Sequence, residues 1–141
     1  MSVEANKVAA RRFVEEALDG GSSEALHELF LPGAVRHFPP GDITVDPNQS
    51  PPQAPRRWAM KTDIHHLYGE GDFVTIHLTH HVTFPADSQF RTRAGTFDVG
   101  GKNVEWNAMV VLEFKDGRIS EEWVVRDELQ LLMQIGVVSA K

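Results

Sequence analysis

Asp127 and His80 are titratable side chains that strand periodicity places among apolar neighbours, where chemistry on a bound organic molecule could be done. Residues 104–114 and 118–126 read as the arms of a hairpin joined through Lys115-Asp116-Gly117, because Asp-Gly between apolar runs is a strong hairpin signal. Pairing Lys115 with Arg118 sets Asp127 opposite Trp106, Val125 opposite Ala108 and Trp123 opposite Val110. One face then carries Trp106, Ala108, Val110, Leu112, Phe114, Ile119, Trp123 and Val125. The other carries Glu105, Asn107, Glu113, Ser120, Glu122 and Arg126, with Met109, Val111 and Val124 mixed in. Asp127 falls on the apolar face, between two tryptophans. A partly desolvated carboxylate there could serve as general base or acid.

A second reading of Asp127 is structural. It precedes an apolar helical stripe of Leu129, Leu132 and Met133, and with Gln130 three residues on it fits a capping box. Such a cap is worth about 1 kcal/mol and lowers the carboxylate pKa, the reverse of what a strong base needs.

His80 shares its strand face with Val74, Ile76, Leu78, Val82 and Phe84, while Thr75, His77, Thr79 and His81 alternate onto the other. It is either a core histidine with a backbone partner or a proton or hydrogen-bond donor to a ligand carbonyl. The other histidines do not suggest a metal. His65-His66 and His80-His81 point to opposite faces, and His77 and His81 sit roughly 13 Å apart on an extended chain. No G-x-S-x-G, P-loop, G-x-G-x-x-G or H-E-x-x-H pattern is present.

The elements that must position these residues follow from the rest of the chain. Residues 4–18 read as an amphipathic helix with Ala9, Phe13, Val14, Ala17 and Leu18 inward, stopped at Asp19-Gly20-Gly21. Ser22 or Ser23 caps a second helix reaching Phe30, ended by Pro32-Gly33. A short strand over 34–38 leads into residues 39–57, whose six prolines exclude a long helix or central strand. That stretch is a lid or entrance, or else a surface connection. Residues 61–68 and 73–84 form a hairpin around Gly69-Glu70-Gly71-Asp72, and a further strand over 90–99 leads through Gly100-Gly101 into the last hairpin. Helices first, then antiparallel strands and a terminal helix, make an α+β domain whose curling sheet can enclose a pocket.

With 141 residues, 41% hydrophobic and 24% charged, the chain fits one domain. No apolar run is long enough to span a bilayer and the N-terminus lacks a signal-peptide core, so a cytoplasmic protein is expected. The absence of cysteine excludes disulfides, thiolate nucleophiles and sulfur-bound zinc. A net charge of −6, with no basic stripe, argues against nucleic acid or an anionic membrane as partner.

Several segments resemble the SnoaL-like polyketide cyclase group of the nuclear transport factor 2-like superfamily. They are Leu29-Phe30-Leu31-Pro32-Gly33-Ala34-Val35, Phe114-Lys115-Asp116-Gly117-Arg118-Ile119, Glu122-Trp123 with Asp127 four residues after the tryptophan, and Leu131-Leu132-Met133-Gln134-Ile135-Gly136. The resemblance implies a cone-shaped, curved antiparallel sheet covered by N-terminal helices, a homodimer formed through the sheet, and a pocket for a small apolar molecule. It implies that Asp127 is the acid/base of an aldol closure. The family's pocket histidine, in T-H-x-G-x-F, aligns with Arg93 in Thr92-Arg93-Ala94-Gly95-Thr96-Phe97, and His80 could replace it from the neighbouring strand. Where many members have H-N-P, this chain has His37-Phe38-Pro39.

These residues point to a cofactor-independent cyclase, isomerase or dehydratase. Asp127 would take a proton next to a carbonyl, with His80 or Arg93 stabilising the enolate oxygen. Trp106, Trp123, Val110, Ala108, Leu78 and His37 would contact the ligand. The alternative is a non-catalytic ligand-binding or dimeric interaction module on the same fold. An epoxide-hydrolase-like network, drawing on Arg93 and Asp63, is a third arrangement.

Overall fold

Helix-capping serines set the N-terminal half. A computed structural model describes residues 2–46, 48 and 58–139. Helix α1 (Val3–Arg12) starts where Ser2 accepts the Ala5 N–H at 3.0 Å, and it runs directly into a π-helical segment, Phe13–Asp19. Asn6, Ala10, Phe13, Val14 and Ala17 form its buried stripe. Gly21, at φ +64°, turns the chain, and Ser22 caps α2 (Ser23–Leu29) through the Ala25 N–H.

A six-stranded sheet receives these helices. Its strands are β1 (Phe30–His37), β2 (Ile43–Thr44), β3 (Ala59–Glu70), β4 (Phe73–Thr83), β7 (Asn103–Lys115) and β8 (Arg118–Arg126), in the order β2-β1-β8-β7-β4-β3. Neighbours are antiparallel except β1 and β8, which run parallel. The even-numbered residues of β4 from Val74 to Val82 and of β7 from Val104 to Phe114 are buried on the concave face, where α1, α2 and the π segment pack. Helix α3 (Glu128–Gln134) closes the cone against β7. This is the anticipated α+β fold with its curved sheet.

The segment expected as one strand over 90–99 folds on itself instead. It forms a separate ribbon, β5 (Gln89–Thr92) and β6 (Gly95–Asp98), turning at Arg93-Ala94. Thr92 Oγ1 accepts the Ala94 N–H and donates to the Gly95 carbonyl, while Gly95 adopts φ +129°. A side-chain-supported turn with glycine at positive φ outcompetes a continuous strand. Of the proline-rich stretch, Pro47, Pro51, Pro52 and Pro55 lie outside the described residues; Ile43–Thr44 pairs with β1 only at the sheet edge.

The last hairpin differs from expectation in one decisive respect. Lys115 does pair with Arg118, and Asp116 and Gly117 at φ +53° and +82° make the primed turn that Asp-Gly favours. The register then slips: Phe114 faces Ile119 but Glu113 faces Glu121, leaving Ser120 as the extra residue of a β-bulge. Beyond it every side chain of β8 changes face. Ala108 therefore faces Arg126, Val110 faces Val124 and Leu112 faces Glu122.

Candidate functional site

The concave face, Leu18 of the π segment and the start of the proline-rich stretch line an open-mouthed cavity of about 440 Å³. Trp58, Phe90 and Trp106 make an aromatic cluster with centroids near 5.3 Å, and Phe38, Met60, Ala108, Val110 and Val124 complete the apolar wall. Pro39 and Pro40 sit at its boundary, so the described start of the proline-rich stretch does border the cavity.

Into this wall the bulge turns two charged side chains. Glu122, essentially fully buried, pairs with Arg36 of β1 at 2.5 Å, and the Arg36 guanidinium lies about 5.5 Å from the rings of Phe13, Phe30 and Phe38. Arg126 sits 4.8 Å over the Phe90 ring; its Nε donates to Glu128 and one Nη to the Arg91 carbonyl. The other Nη has no hydrogen bond among the described residues. Sequence pattern alone assigned Glu122 and Arg126 to the outer face, because Trp123 and Val125 are the more apolar set. No local signal distinguishes a bulge that buries an ion pair.

His80 is where alternation put it, opposite Trp106, buried and lining the cavity, with the two rings edge to face at 5.6 Å. Its Nδ1 lies 2.6 Å from Thr62 Oγ1, which itself contacts Asp19. Burial pushes the imidazole down to about 4, helped by the nearby positive charge of Arg126 and by His81. His80 is therefore neutral at physiological pH. The Arg126 guanidinium and the His80 ring both line this cavity, where flanking apolar groups strengthen electrostatic interactions relative to bulk water.

Trp106, Ala108 and Val110 also line the cavity. Leu78 is fully buried in the core but does not line it. The other expected site residues lie elsewhere. Asp127 does not face Trp106: it is exposed at the start of α3, accepting the Gln130 N–H at 2.9 Å, which is the capping arrangement. Trp123 and His37 pair across β8 and β1 on the outer face, where their rings stack at 5.7 Å. There His37 also contacts Glu121 and Asp42, chiefly the former, which raises its pKa. Arg93 is exposed on the β5–β6 turn, and Asp63 pairs with His81 outside the cavity, so neither builds a carboxylate–arginine network. Across β3 and β4, His66 and His77 stack at 5.3 Å. Among the described residues no cluster of three or more such side chains is arranged to hold a metal.

Comparison with solved structures returns this architecture repeatedly. TsrD from Streptomyces laurentii aligns with a TM-score of 0.71 at 15% identity, covering 98% of this chain and 99% of that one. An LEH-like epoxide hydrolase from M. tuberculosis gives 0.68 at 14%, covering 94% and 90%. IdmH from Streptomyces antibioticus gives 0.66 at 22%, covering 94% and 99%. At these identities the likeness establishes the fold. No curated protein matches the chain in sequence. The family pattern does match, over residues 8–135, and the chain belongs to the SnoaL-like polyketide cyclase family.

Proposed function

We propose that the protein is a cofactor-independent cyclase or isomerase that removes a proton from carbon next to a carbonyl in a small, largely apolar ring compound. One observation carries this reading: a neutral, buried imidazole and a guanidinium converge on an aromatic-walled cavity of about 440 Å³. His80 is the base and Arg126 the group that receives negative charge. The C–H electron pair becomes the C=C bond of an enolate, the proton moves to His80, and the oxygen charge develops against Arg126. Returning the proton to another carbon completes an isomerisation. Attack of the enolate carbon on a second carbonyl forms a ring, and the resulting alkoxide takes the proton back from His80.

A base that protonates only near pH 4 is weak, but carboxylates of comparable strength run enolisations when the oxyanion is well held. Placing the base on His80 rather than Asp127 follows from the bulge, which turns Arg126 inward and leaves Asp127 at the cap. The buried Arg36–Glu122 pair lies further along the same face, opposite Leu112 instead of Trp106, and suits a polar substituent at the far end of the ligand. IdmH is described as a candidate polyketide cyclase, which is consistent with this substrate class.

The outer face supports a homodimer through the sheet. Val125 is 72% and Met109 47% exposed beside Trp123, an apolar strip that a second copy would cover. Sedimentation should show a dimer that Val125→Glu dissociates.

The reading is tested by solvent exchange, which needs no knowledge of the final product. Incubated in deuterated water with a panel of cyclic and aromatic polyketone compounds, the enzyme should wash deuterium into one α-carbon of at least one compound. His80→Gln should abolish the exchange. Exchange that survives in His80→Gln but disappears in Asp127→Asn would return the base to Asp127.

A further inference from the structure

Three side chains from three segments form a line ending on His80. Asp19 is the last residue of the π segment, Thr62 stands on β3, and His80 is directly opposite Thr62 on β4. Thr62 donates twice to Asp19, through its backbone N–H to Oδ2 at 2.9 Å and through its hydroxyl to Oδ1 at 2.6 Å. The same hydroxyl oxygen lies 2.6 Å from His80 Nδ1.

The hydrogen inventory settles the direction of this chain. A carboxylate only accepts and a threonine hydroxyl has one hydrogen, so that hydrogen is committed to Asp19. The oxygen can meet Nδ1 only as an acceptor, and Nδ1 must carry a proton. We infer that Asp19 and Thr62 are positioning residues which hold His80 as the Nδ1–H tautomer and leave the Nε2 lone pair to the cavity. Neither touches substrate; both act through the ring.

The backbone is built to deliver this contact. A π turn takes one more residue than an α turn, so residues beyond it are rotated relative to a continuous α-helix. Asp19 leaves that segment aimed at β3. At the adjoining Gly20 a Cβ would lie 2.5 Å from the Glu16 carbonyl oxygen, so the turn that presents Asp19 requires glycine.

The catalytic consequence rests on the proposed role of His80 as base, while the tautomer itself is measurable without any substrate. In nitrogen-15-labelled protein at neutral pH, the two-bond proton–nitrogen spectrum should show His80 with Nδ1 protonated and Nε2 bare, the ring being assigned from its loss in His80→Gln. Thr62→Val should release the ring into a mixture of tautomers, and Thr62→Ser should restore the wild-type pattern. Where exchange activity is found, Thr62→Val and Asp19→Asn should lower kcat by at least about tenfold with KM unchanged, since a base in the wrong tautomer is disabled without losing substrate contacts. A wild-type His80 protonated on Nε2, or an unchanged tautomer in folded Thr62→Val, overturns the inference. A confirmed tautomer in a protein whose exchange is indifferent to His80→Gln leaves the relay standing and removes the proposed reaction.

Discussion

Replacing His80 by glutamine should flatten the acid limb of the protein's stability curve. Burial holds the folded-state imidazole near 4, against 6.5 for an unhindered histidine. As pH falls below 6.5 the unfolded chain takes up this proton first, so acid favours unfolding until both states are protonated below about 4. Between about pH 7.5 and about pH 4.5 this one group should remove on the order of 2–3 kcal/mol of stability. For 141 residues, unfolding entropy of about 2.1 cal/mol/K per residue turns this into a Tm difference of roughly 7–10 °C. His37 works in the opposite sense: its pKa is raised, so its contribution is present at low pH and fades as pH rises through that value. It is common to both proteins and cancels in the comparison. The assay is urea unfolding followed by tryptophan fluorescence across this range. The difference between wild type and His80→Gln should itself change by roughly 2–3 kcal/mol. Parallel curves would mean that His80 is not held neutral in the fold, and the argument for it as a base would fail with them.

Catalysed exchange should stay level from neutral pH downward and fall only as pH approaches about 4, because the base protonates there; a midpoint near 6.5 would be that of an unburied imidazole. Glu122→Gln should cost about 3 kcal/mol by leaving Arg36 unpaired, whereas Arg36→Met with Glu122→Met should recover most of it, as chemical denaturation of the cycle would show. Asp127→Ala should cost about 1 kcal/mol through loss of the α3 cap, measured the same way. Ala108→Phe should fill the cavity and abolish ligand-induced thermal shifts; shifts that persist would place the ligand elsewhere.

Most of the architecture was legible in the chain because its signals are local. Ser22, Gly21, Asp116-Gly117 and the alternation of Val74, Ile76, Leu78 and Val82 each act within a few residues, and the structure uses them in the expected way. His80 was placed correctly for the same reason: no irregularity interrupts β4 between its apolar neighbours and Trp106. The β5–β6 ribbon was harder to see, since its turn depends on the Thr92 hydroxyl reaching two backbone groups.

What the chain by itself determined is the order of the helices and the two long hairpins, the buried face of β4 and β7, and the family. Tertiary structure alone decided which side chains of β8 enter the cavity. One extra residue at Ser120 reverses the face of all that follow, and a period-two pattern has no memory of phase across a bulge. Hydropathy favoured Trp123 and Val125 for the interior. The fold puts Glu122 and Arg126 there because Arg36 from a distant strand satisfies the first and Phe90 with Glu128 holds the second. The contact that we infer to set the His80 tautomer was likewise beyond a linear reading, since it needs a threonine and an aspartate that meet only when β3, β4 and the π segment are brought together.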